Sequence, residues 1–194
     1  MTEIGLLRHY PTDWNREARL QGRTDRPLDT EAAEVLAGLA LPAPWDEADI
    51  LASPLSRALV TATTLADTRP VATDARLVEQ SWGRWEGARA ADLMATPSSG
   101  FVPTHRLPET MCPPGGESAL DVWDRVHPLL LELGQAGGRV LVVGHKAVMR
   151  LLLRRADPTT PDPEIKRARI YPLQCDPSGR LSNPAAPVRL APRL

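Results

Sequence analysis

Two apolar segments of the sequence each lead into a histidine, and this feature restricts the folds open to the chain more than any other. The first, Ile4–Arg8, is followed by His9, and the second, Arg139–Val143, is followed by a glycine and His145. Both have the length and apolar content of strands that are buried on two faces of a sheet. Open α/β sheets bind ligands at the carboxyl ends of such strands. We therefore expect both imidazoles to face one ligand-binding crevice.

The composition predicts one domain. A chain of 194 residues, 42% of them hydrophobic, can build one sizeable core but is short for two. We predict a single domain over residues 1–194, with a loop or insertion rich in proline, serine and glycine at about 96–116. The 23 basic and 24 acidic side chains give a net charge of −1. This balance predicts neither a nucleic-acid partner nor attraction to an anionic membrane.

Two further features bear on the compartment. Cys112 and Cys175 lack a CxxC spacing, which predicts unpaired thiols in a reducing compartment. A first strand that begins near Ile4 leaves no room for a signal peptide, and no apolar run approaches the ~20 residues that span a bilayer. We therefore expect a cytoplasmic protein with no membrane partner. The oligomeric state stays open.

The hydrophobic periodicity and the turn residues predict alternating strands and helices. A helix begins near Asp29 or Thr30, either of which can cap it, and Asp49–Ala52 is a short strand. Ser53 is expected to cap the next helix, with Pro54 at its first position. Strands that alternate with helices favour parallel pairing with right-handed crossovers. The prediction is an α/β fold, a three-layer α/β/α sandwich with a mostly parallel central sheet.

The second half of the chain continues this alternation. Apolar positions from Leu120 to Gly134 predict a long amphipathic helix, and His145 opens another. Arg169–Gln174 is expected to be a strand, followed by a turn and a final short strand. His105 and His127 are expected to have structural roles only.

The residues around the two strand ends fit the chemistry of phosphoryl transfer. Such a reaction needs an attacking group, a cationic cradle and an acid for the leaving oxygen. His9 can attack with one ring nitrogen when a backbone carbonyl holds the other. Arg8 and Arg57, the latter in the first turn of a helix, can bind phosphoryl oxygens through their planar forks. His145, protonated beside the anion, is expected to add a donor.

Five ordered motifs resemble those of a known family. Residues 8–15, RHYPTDWN, are similar to the R-H-G-x-T-x-W-N signature of the histidine phosphatase superfamily, also called phosphoglycerate mutase-like proteins. The other four similar motifs are RLQGRTD at 19–25, SPLSRA at 53–58, LVEQSWGRWEG at 77–87 and PGGES at 114–118. The length is similar to that of small phosphatases such as the α-ribazole phosphatases.

The resemblance implies a metal-independent phosphomonoesterase without a cofactor, which acts on a small phosphorylated substrate through a phosphohistidine on His9. It makes Glu79 the proton donor and later the base that activates water. Desolvation beside Trp82 would raise the pKa of that carboxyl group, as a general acid requires. Asn15 is expected to contact the phosphoryl or leaving group. The sequence contains no H-x-x-x-H or H-E-x-x-H spacing, so no metal ligands are predicted.

Two positions depart from the family pattern. Tyr10 stands in place of glycine, and we expect its ring to wall the substrate site or to change the path of the loop. Lys146 and Ala147 replace the usual pair of glycines after the second histidine. Lys146 is either an extra cation for the substrate or a solvated residue at a helix start. The remaining pocket residues that we predict are Gln21, Gly22 and Trp82.

Two other functions stay open on the sequence alone. One is a cofactor-dependent phosphoglycerate mutase. Against it, Gln21, Trp82 and Ala90 stand where the resemblance leads us to expect a small hydroxyl residue, a tyrosine and a lysine in mutases. The other is a non-catalytic phosphate-binding or regulatory module, in which Tyr10 has blocked turnover while the cationic cradle remains.

Overall fold

The computed structural model describes residues 1–99, 101, 109–159, 163–182 and 185–193. Within these residues the strands are β1 (Thr2–Arg8), β2 (Leu39–Ala40), β3 (Asp49–Ala52), β4 (Val71–Thr73), β5 (Gly138–Gly144), β6 (Arg169–Cys175), β7 (Leu181–Ser182), β8 (Val188–Arg189) and β9 (Ala191–Pro192). The helices are α1 (Asp13–Arg16), α2 (Thr30–Ala37), α3 (Ser56–Ala66), α4 (Ala90–Ala95), α5 (Ala119–Ala136) and α6 (Lys146–Ala156).

The central layer is a mixed sheet with the strand order β4-β3-β5-β1-β6-β7. The four strands β4, β3, β5 and β1 run parallel. Strand β6 is antiparallel to β1 and also pairs antiparallel with β7 and β8. Strands β2 and β9 form a separate pair. The predicted α/β fold with a mostly parallel sheet is therefore confirmed, and the antiparallel strands lie on the β6 side.

Helices cover both faces of this sheet, because alternate residues of the central strands point to opposite faces. On one face, Ile4 and Leu6 of β1 belong to the core cluster that includes buried residues of α5 and α6. On the other face, Leu7 of β1 joins a second cluster with buried residues of α2 and α3. The two clusters place the sheet between two helical layers, as the three-layer prediction requires.

The start of α3 differs from the prediction. The helix begins at Ser56 with Leu55 as its N-cap residue, and Ser53 does not cap it. Instead, both carboxylate oxygens of Asp25 accept the backbone N–H of Ser56 at 3.0 Å. A carboxylate at a helix N-terminus satisfies an otherwise unpaired donor and complements the helix dipole. The cap thus comes from a loop distant in sequence, which leaves the Ser53 hydroxyl for another contact.

The helix cap and the thiols that we predicted can also be compared with the structure. Asp29 caps α2 through a bond from the backbone N–H of Ala32, as predicted. Cys112 and Cys175 are both unpaired thiols, also as predicted. Of the predicted loop at about 96–116, residues 100 and 102–108, and with them His105, lie outside the described residues. Across the described ranges no helix combines the length and the apolar character that crossing a membrane would require.

Candidate active site

Three residues meet at the carboxyl ends of neighbouring parallel strands. His9 follows β1, His145 follows β5 and Ser53 follows β3. The backbone N–H of His9 donates to the carbonyl of Gly144 at 2.9 Å, and that of Ser53 donates to the carbonyl of Val143 at 3.0 Å. The centroids of the two imidazoles are 5.2 Å apart. The sheet geometry therefore brings the two histidines, far apart in sequence, into one site.

One ring nitrogen of His9 is held by the backbone. Nδ1 lies 2.6 Å from the carbonyl oxygen of Tyr10, which can only accept, so Nδ1 carries the proton and Nε2 keeps its lone pair. Burial, and then the positive charges of Arg57 and Arg8, lower the pKa of His9 well below 6.5. Near pH 7 the ring is therefore neutral, with Nε2 in the form of a nucleophile.

His145 is oriented by the hydroxyl group of Ser53. Its Nε2 lies 2.8 Å from Ser53 Oγ, which also accepts the backbone N–H of Leu55 at 3.3 Å. Ser53 Oγ has a proton that it can donate to Nε2, and in that tautomer the ring proton lies on Nδ1, a buried atom that has no partner within the described part of the chain. Burial, followed by His9 and Arg57, lowers the pKa of His145 well below 6.5. In that tautomer a neutral His145 can donate one hydrogen bond.

Two arginines are held beside His9. Arg57 is completely buried at 0% exposure, and its two terminal nitrogens donate to the carbonyls of Thr24 at 3.1 Å and Gly22 at 2.6 Å. Burial and then the charge of Arg167 lower the pKa of Arg8 to about 10, so this side chain stays charged near pH 7. The Nε atoms of Arg8 and Arg57 are buried without a partner in the described residues. Each arginine therefore keeps a donor for an anion.

Glu79 is a buried carboxyl group with backbone donors on both oxygens. It is 5% exposed, and its oxygens accept the N–H of Gln80 at 2.9 Å and that of Ala147 at 3.2 Å. Burial raises the pKa of Glu79 above its ordinary value, against these hydrogen bonds and the nearby arginines. A raised pKa is what a carboxylic acid needs in order to donate a proton near neutral pH.

A hydrogen-bonded network links three elements at the side of the site. Gln21 Oε1 accepts from Thr12 Oγ1 at 2.8 Å and from Asn15 Nδ2 at 3.4 Å. Arg167, which precedes β6, donates from Nη2 to Asn15 Oδ1 at 2.9 Å. Thr12 also caps α1 and completes a capping box with Asn15. The short helix α1 is therefore fixed at its start by the same side chains that border the site.

A cleft of about 250 Å³ opens beside these groups, and Arg57 and His145 lie buried behind its lining. His9, Asn15, Gln21 and Trp82 line it. Basic side chains outnumber acidic ones among its described lining residues, which include Arg8, Arg19, Lys146, Arg150, Arg167 and the single carboxylate Glu79. The cleft is therefore strongly attractive to anions, although the chain as a whole is close to neutral.

Two predicted pocket residues lie elsewhere. The side chain of Tyr10 is 4% exposed and packs in the core cluster with Leu7 and Leu36, and it is not among the residues lining the cleft. The backbone of Tyr10 nevertheless holds His9 Nδ1. Gly22 is also absent from the lining, and its carbonyl accepts from Arg57. A ring can replace the family's glycine because it points into the core, where burial of its apolar surface is favourable.

Several residues at the site were missed from the sequence, and three of them show different reasons. Ser53 was assigned to a helix cap, and its contact with His145 depends on the adjacency of β3 and β5. Arg150 lines the cleft with Lys146, and the spacing of four residues on one helix was a signal that both share a face. Arg167 had no local signal, because it reaches Asn15 across 152 positions.

The fold and this site define a class of enzyme that binds an anion at the strand ends of an α/β sheet and places a neutral histidine against it. Residues 4–179 match the histidine phosphatase superfamily (branch 1). The match covers most of the chain, and the protein belongs to this superfamily.

Named relatives and solved structures agree with this membership. The chain is 35% identical over 159 residues to a glucosyl-3-phosphoglycerate phosphatase from Mycolicibacterium vanbaalenii, a match that covers 76% of this chain and 70% of the relative. It is similar to the structure of Bacillus stearothermophilus YhfR, with a TM-score of 0.79, 27% identity and coverage of 94% and 95% of the two chains. A phosphoglycerate mutase from Thermus thermophilus has a TM-score of 0.73, 29% identity and coverage of 97% and 98%.

Proposed function

We propose that this histidine phosphatase hydrolyses small phosphomonoesters through a phosphohistidine on His9. The observation that carries the proposal is the neutral His9 ring, whose Nδ1 is fixed on the carbonyl of Tyr10 while Nε2 is left as a nucleophile beside Arg8 and the buried Arg57. The other residue roles below follow from this arrangement.

The first half of the reaction transfers the phosphoryl group to the enzyme. The lone pair of His9 Nε2 forms a bond to phosphorus as the bond from phosphorus to the ester oxygen breaks. Glu79 in its protonated form, which burial favours by raising its pKa, gives its proton to that oxygen, and the alcohol leaves. Arg8 and Arg57 bind the phosphoryl oxygens, and the Nδ1–H of His145 adds a neutral donor.

The second half returns the enzyme to its starting state. Glu79, now a carboxylate, takes a proton from water while the water oxygen bonds to phosphorus and the bond to His9 breaks. Inorganic phosphate leaves, and Glu79 is protonated again. These steps use only side chains of the protein, and they need neither a metal ion nor a cofactor. Insensitivity to a chelator stays a prediction that follows from it.

The substrate is proposed to be a small phosphorylated molecule. A cleft of about 250 Å³ accepts a few heavy atoms beyond the phosphoryl group. The named relative from Mycolicibacterium vanbaalenii is a glucosyl-3-phosphoglycerate phosphatase, which supports a phosphorylated metabolite rather than a phosphoprotein. The resemblance to α-ribazole phosphatases stays a prediction.

The test is chemical trapping in the wild type and in His9→Ala. With an aryl phosphate, wild type is expected to release phosphate and to yield an acid-labile phosphoenzyme on rapid quenching under neutral or alkaline conditions. His9→Ala should lose turnover by at least about 10³-fold, because the nucleophile is absent. His127→Ala is the matched control, since His127 stacks on Trp123 of α5, outside the cleft. A phosphoenzyme on serine, or full turnover in His9→Ala, would contradict the mechanism.

A further inference from the structure

Two buried donors on one wall of the cleft have no acceptor within the described residues. They are Arg167 Nε and Gln21 Nε2, and both residues line the cleft. They are joined through Asn15, which accepts from Arg167 Nη2 at 2.9 Å and donates to Gln21 Oε1 at 3.4 Å. Buried polar groups are nearly always satisfied in folded proteins, so two such donors in one network indicate a bound acceptor. An oxygen of a substrate bound in the cleft would supply such an acceptor.

The phosphoryl group already has its own donors on the other side of the site. Arg8, Arg57 and His145 surround His9, and each retains a buried N–H without a partner in the described structure. Arg167 is a further positive charge in the same cleft, close enough to lower the pKa of Arg8. Two neighbouring guanidinium groups repel each other unless an anion lies between or beside them. The charge of the cleft therefore exceeds what one phosphoryl group needs.

We propose that Arg167 and Gln21 form a carboxylate subsite, so that the substrate is the phosphate ester of a small hydroxy acid. This proposal rests on the proposed function, because the phosphoryl group must occupy the place beside His9. Arg167 gives only one Nη2 hydrogen to Asn15. The Nε–H and the second Nη2–H form the edge of the guanidinium that binds a carboxylate through two parallel hydrogen bonds.

A carboxylate fits this wall better than a second phosphoryl group. The donors come from a planar guanidinium and a planar amide, which match the two oxygens of a planar anion. One guanidinium charge also balances one carboxylate charge. The network from Thr12 through Gln21 to Asn15 fixes both donors before the substrate arrives. Such preorganisation lowers the entropic cost of binding.

The test compares substrates that differ only by the carboxylate. Two pairs are suitable: 2-phosphoglycolate with 2-hydroxyethyl phosphate, and 3-phosphoglycerate with glycerol 3-phosphate. In each pair a hydroxymethyl group replaces the carboxylate. We expect wild-type enzyme to show a kcat/KM at least about tenfold higher for the carboxylate member of one pair, which is the discrimination expected of a charge-assisted hydrogen-bonded pair. Equal kcat/KM values within both pairs overturn the proposal.

The variant that isolates the subsite is Arg167→Met, which keeps much of the length of the side chain and removes its charge and donors. The ratio of kcat/KM values within the preferred pair is expected to fall to about one. Arg167→Lys, which keeps the charge without the planar fork, is expected to give an intermediate ratio. Arg189→Met is the matched control, because Arg189 is exposed on β8 and does not line the cleft, and it should keep the wild-type ratio. An unchanged ratio in Arg167→Met overturns the proposal.

The proposal and the proposed function fail in different ways. Loss of the subsite would leave hydrolysis of an aryl phosphate that still depends on His9, with no preference for carboxylates. If the proposed function is wrong, hydrolysis of every substrate is expected to proceed without His9. The wild-type comparison decides the subsite even when Arg167→Met does not fold, since it needs no variant. A preference for a bisphosphate over both carboxylates would assign the wall to a second phosphoryl group instead and overturn the carboxylate subsite.

Discussion

The chemistry of single residues in this site is set by backbone contacts as much as by side chains. The carbonyl of Tyr10 selects the tautomer of His9, and the hydroxyl of Ser53 holds Nε2 of His145. The sequence predicted both histidines because each follows an apolar strand. It could not predict the contact of Ser53, since a serine followed by proline is also a common helix start. The identity of a residue was therefore easier to predict than its partner.

The two buried histidines make stability depend on pH. Their pKa values are well below 6.5 in the folded protein because burial disfavours the charged rings. An unfolded histidine titrates at about 6.5, so below that pH the unfolded state binds more protons than the folded state. Stability is therefore present above about pH 6.5 and is lost as the pH falls toward the folded pKa values. In that window each histidine is expected to lower the free energy of unfolding by about 1.4 kcal/mol for every unit by which the pH falls.

Urea unfolding at several pH values between about 7.5 and about 5.5, on either side of the ordinary histidine pKa, measures this dependence. His145→Gln is expected to reduce the slope of the free energy of unfolding against pH, because one neutral buried imidazole is removed. His127→Gln is the control, since that histidine is only partly buried on α5. A slope that is the same in wild type and His145→Gln would show that the ring is charged in the folded protein.

At the scale of the elements, the sequence predicted what is local. The strand Asp49–Ala52 has the predicted bounds, and β1 and β5 are each extended by one or two residues at their ends. The predicted start of α3 was wrong, because the cap comes from Asp25, which is 31 positions away from Ser56. Two-residue strands such as β2 and β7 carry no period that a sequence window could detect. Tertiary contacts therefore decide the element ends that the sequence misplaces.

Gly22, in the loop after β1, has no room for a side chain. A Cβ atom on Gly22 would lie 2.6 Å from the carbonyl oxygen of Gln80 and 2.9 Å from the backbone nitrogen of Trp82. Gly22→Ala is therefore expected to push apart the loop and the segment that carries Glu79. The expected cost is about 1–3 kcal/mol in the free energy of unfolding, as for other overpacked sites. Activity should also fall, because the carbonyl of Gly22 holds Arg57.

Gly38→Ala is the matched control for this prediction. The nearest atom to a Cβ on Gly38 is the carbonyl oxygen of Val35 at 3.6 Å, which is an ordinary contact distance. Gly38 also has a φ of −83°, which alanine adopts readily. Urea unfolding and an aryl phosphate assay on both variants separate the effects. Equal behaviour of the two variants would show that the loop can relax around the methyl group.

For the whole molecule, the fold was predictable because alternating strands and helices permit few topologies. The antiparallel pairing of β6 with β1 could not be predicted, because the alternation of strands and helices favours parallel pairing without giving the strand order. The proposed carboxylate subsite could not be predicted for the same reason. Arg167 and Asn15 come together only when the C-terminal part of the chain returns to the sheet. The fold in turn does not choose the reaction, because structures similar to this one include a phosphoglycerate mutase. That choice depends on how long the phosphohistidine survives.

Hydrolysis of the phosphohistidine is expected to dominate over return of the phosphoryl group to a substrate. A mutase must exclude water from the phosphohistidine while a phosphorylated acid stays bound. Here Glu79 lies in the cleft with a raised pKa, so after the first step its carboxylate can activate water at the same phosphorus. Gln21 and Trp82, which line the cleft, also replace the side chains expected in a mutase. With 3-phosphoglycerate and 2,3-bisphosphoglycerate present, phosphate release is expected to exceed isomerisation by at least about tenfold, a margin equivalent to about 1.4 kcal/mol between the two barriers. Isomerisation that outpaces phosphate release by the same factor would make the protein a mutase.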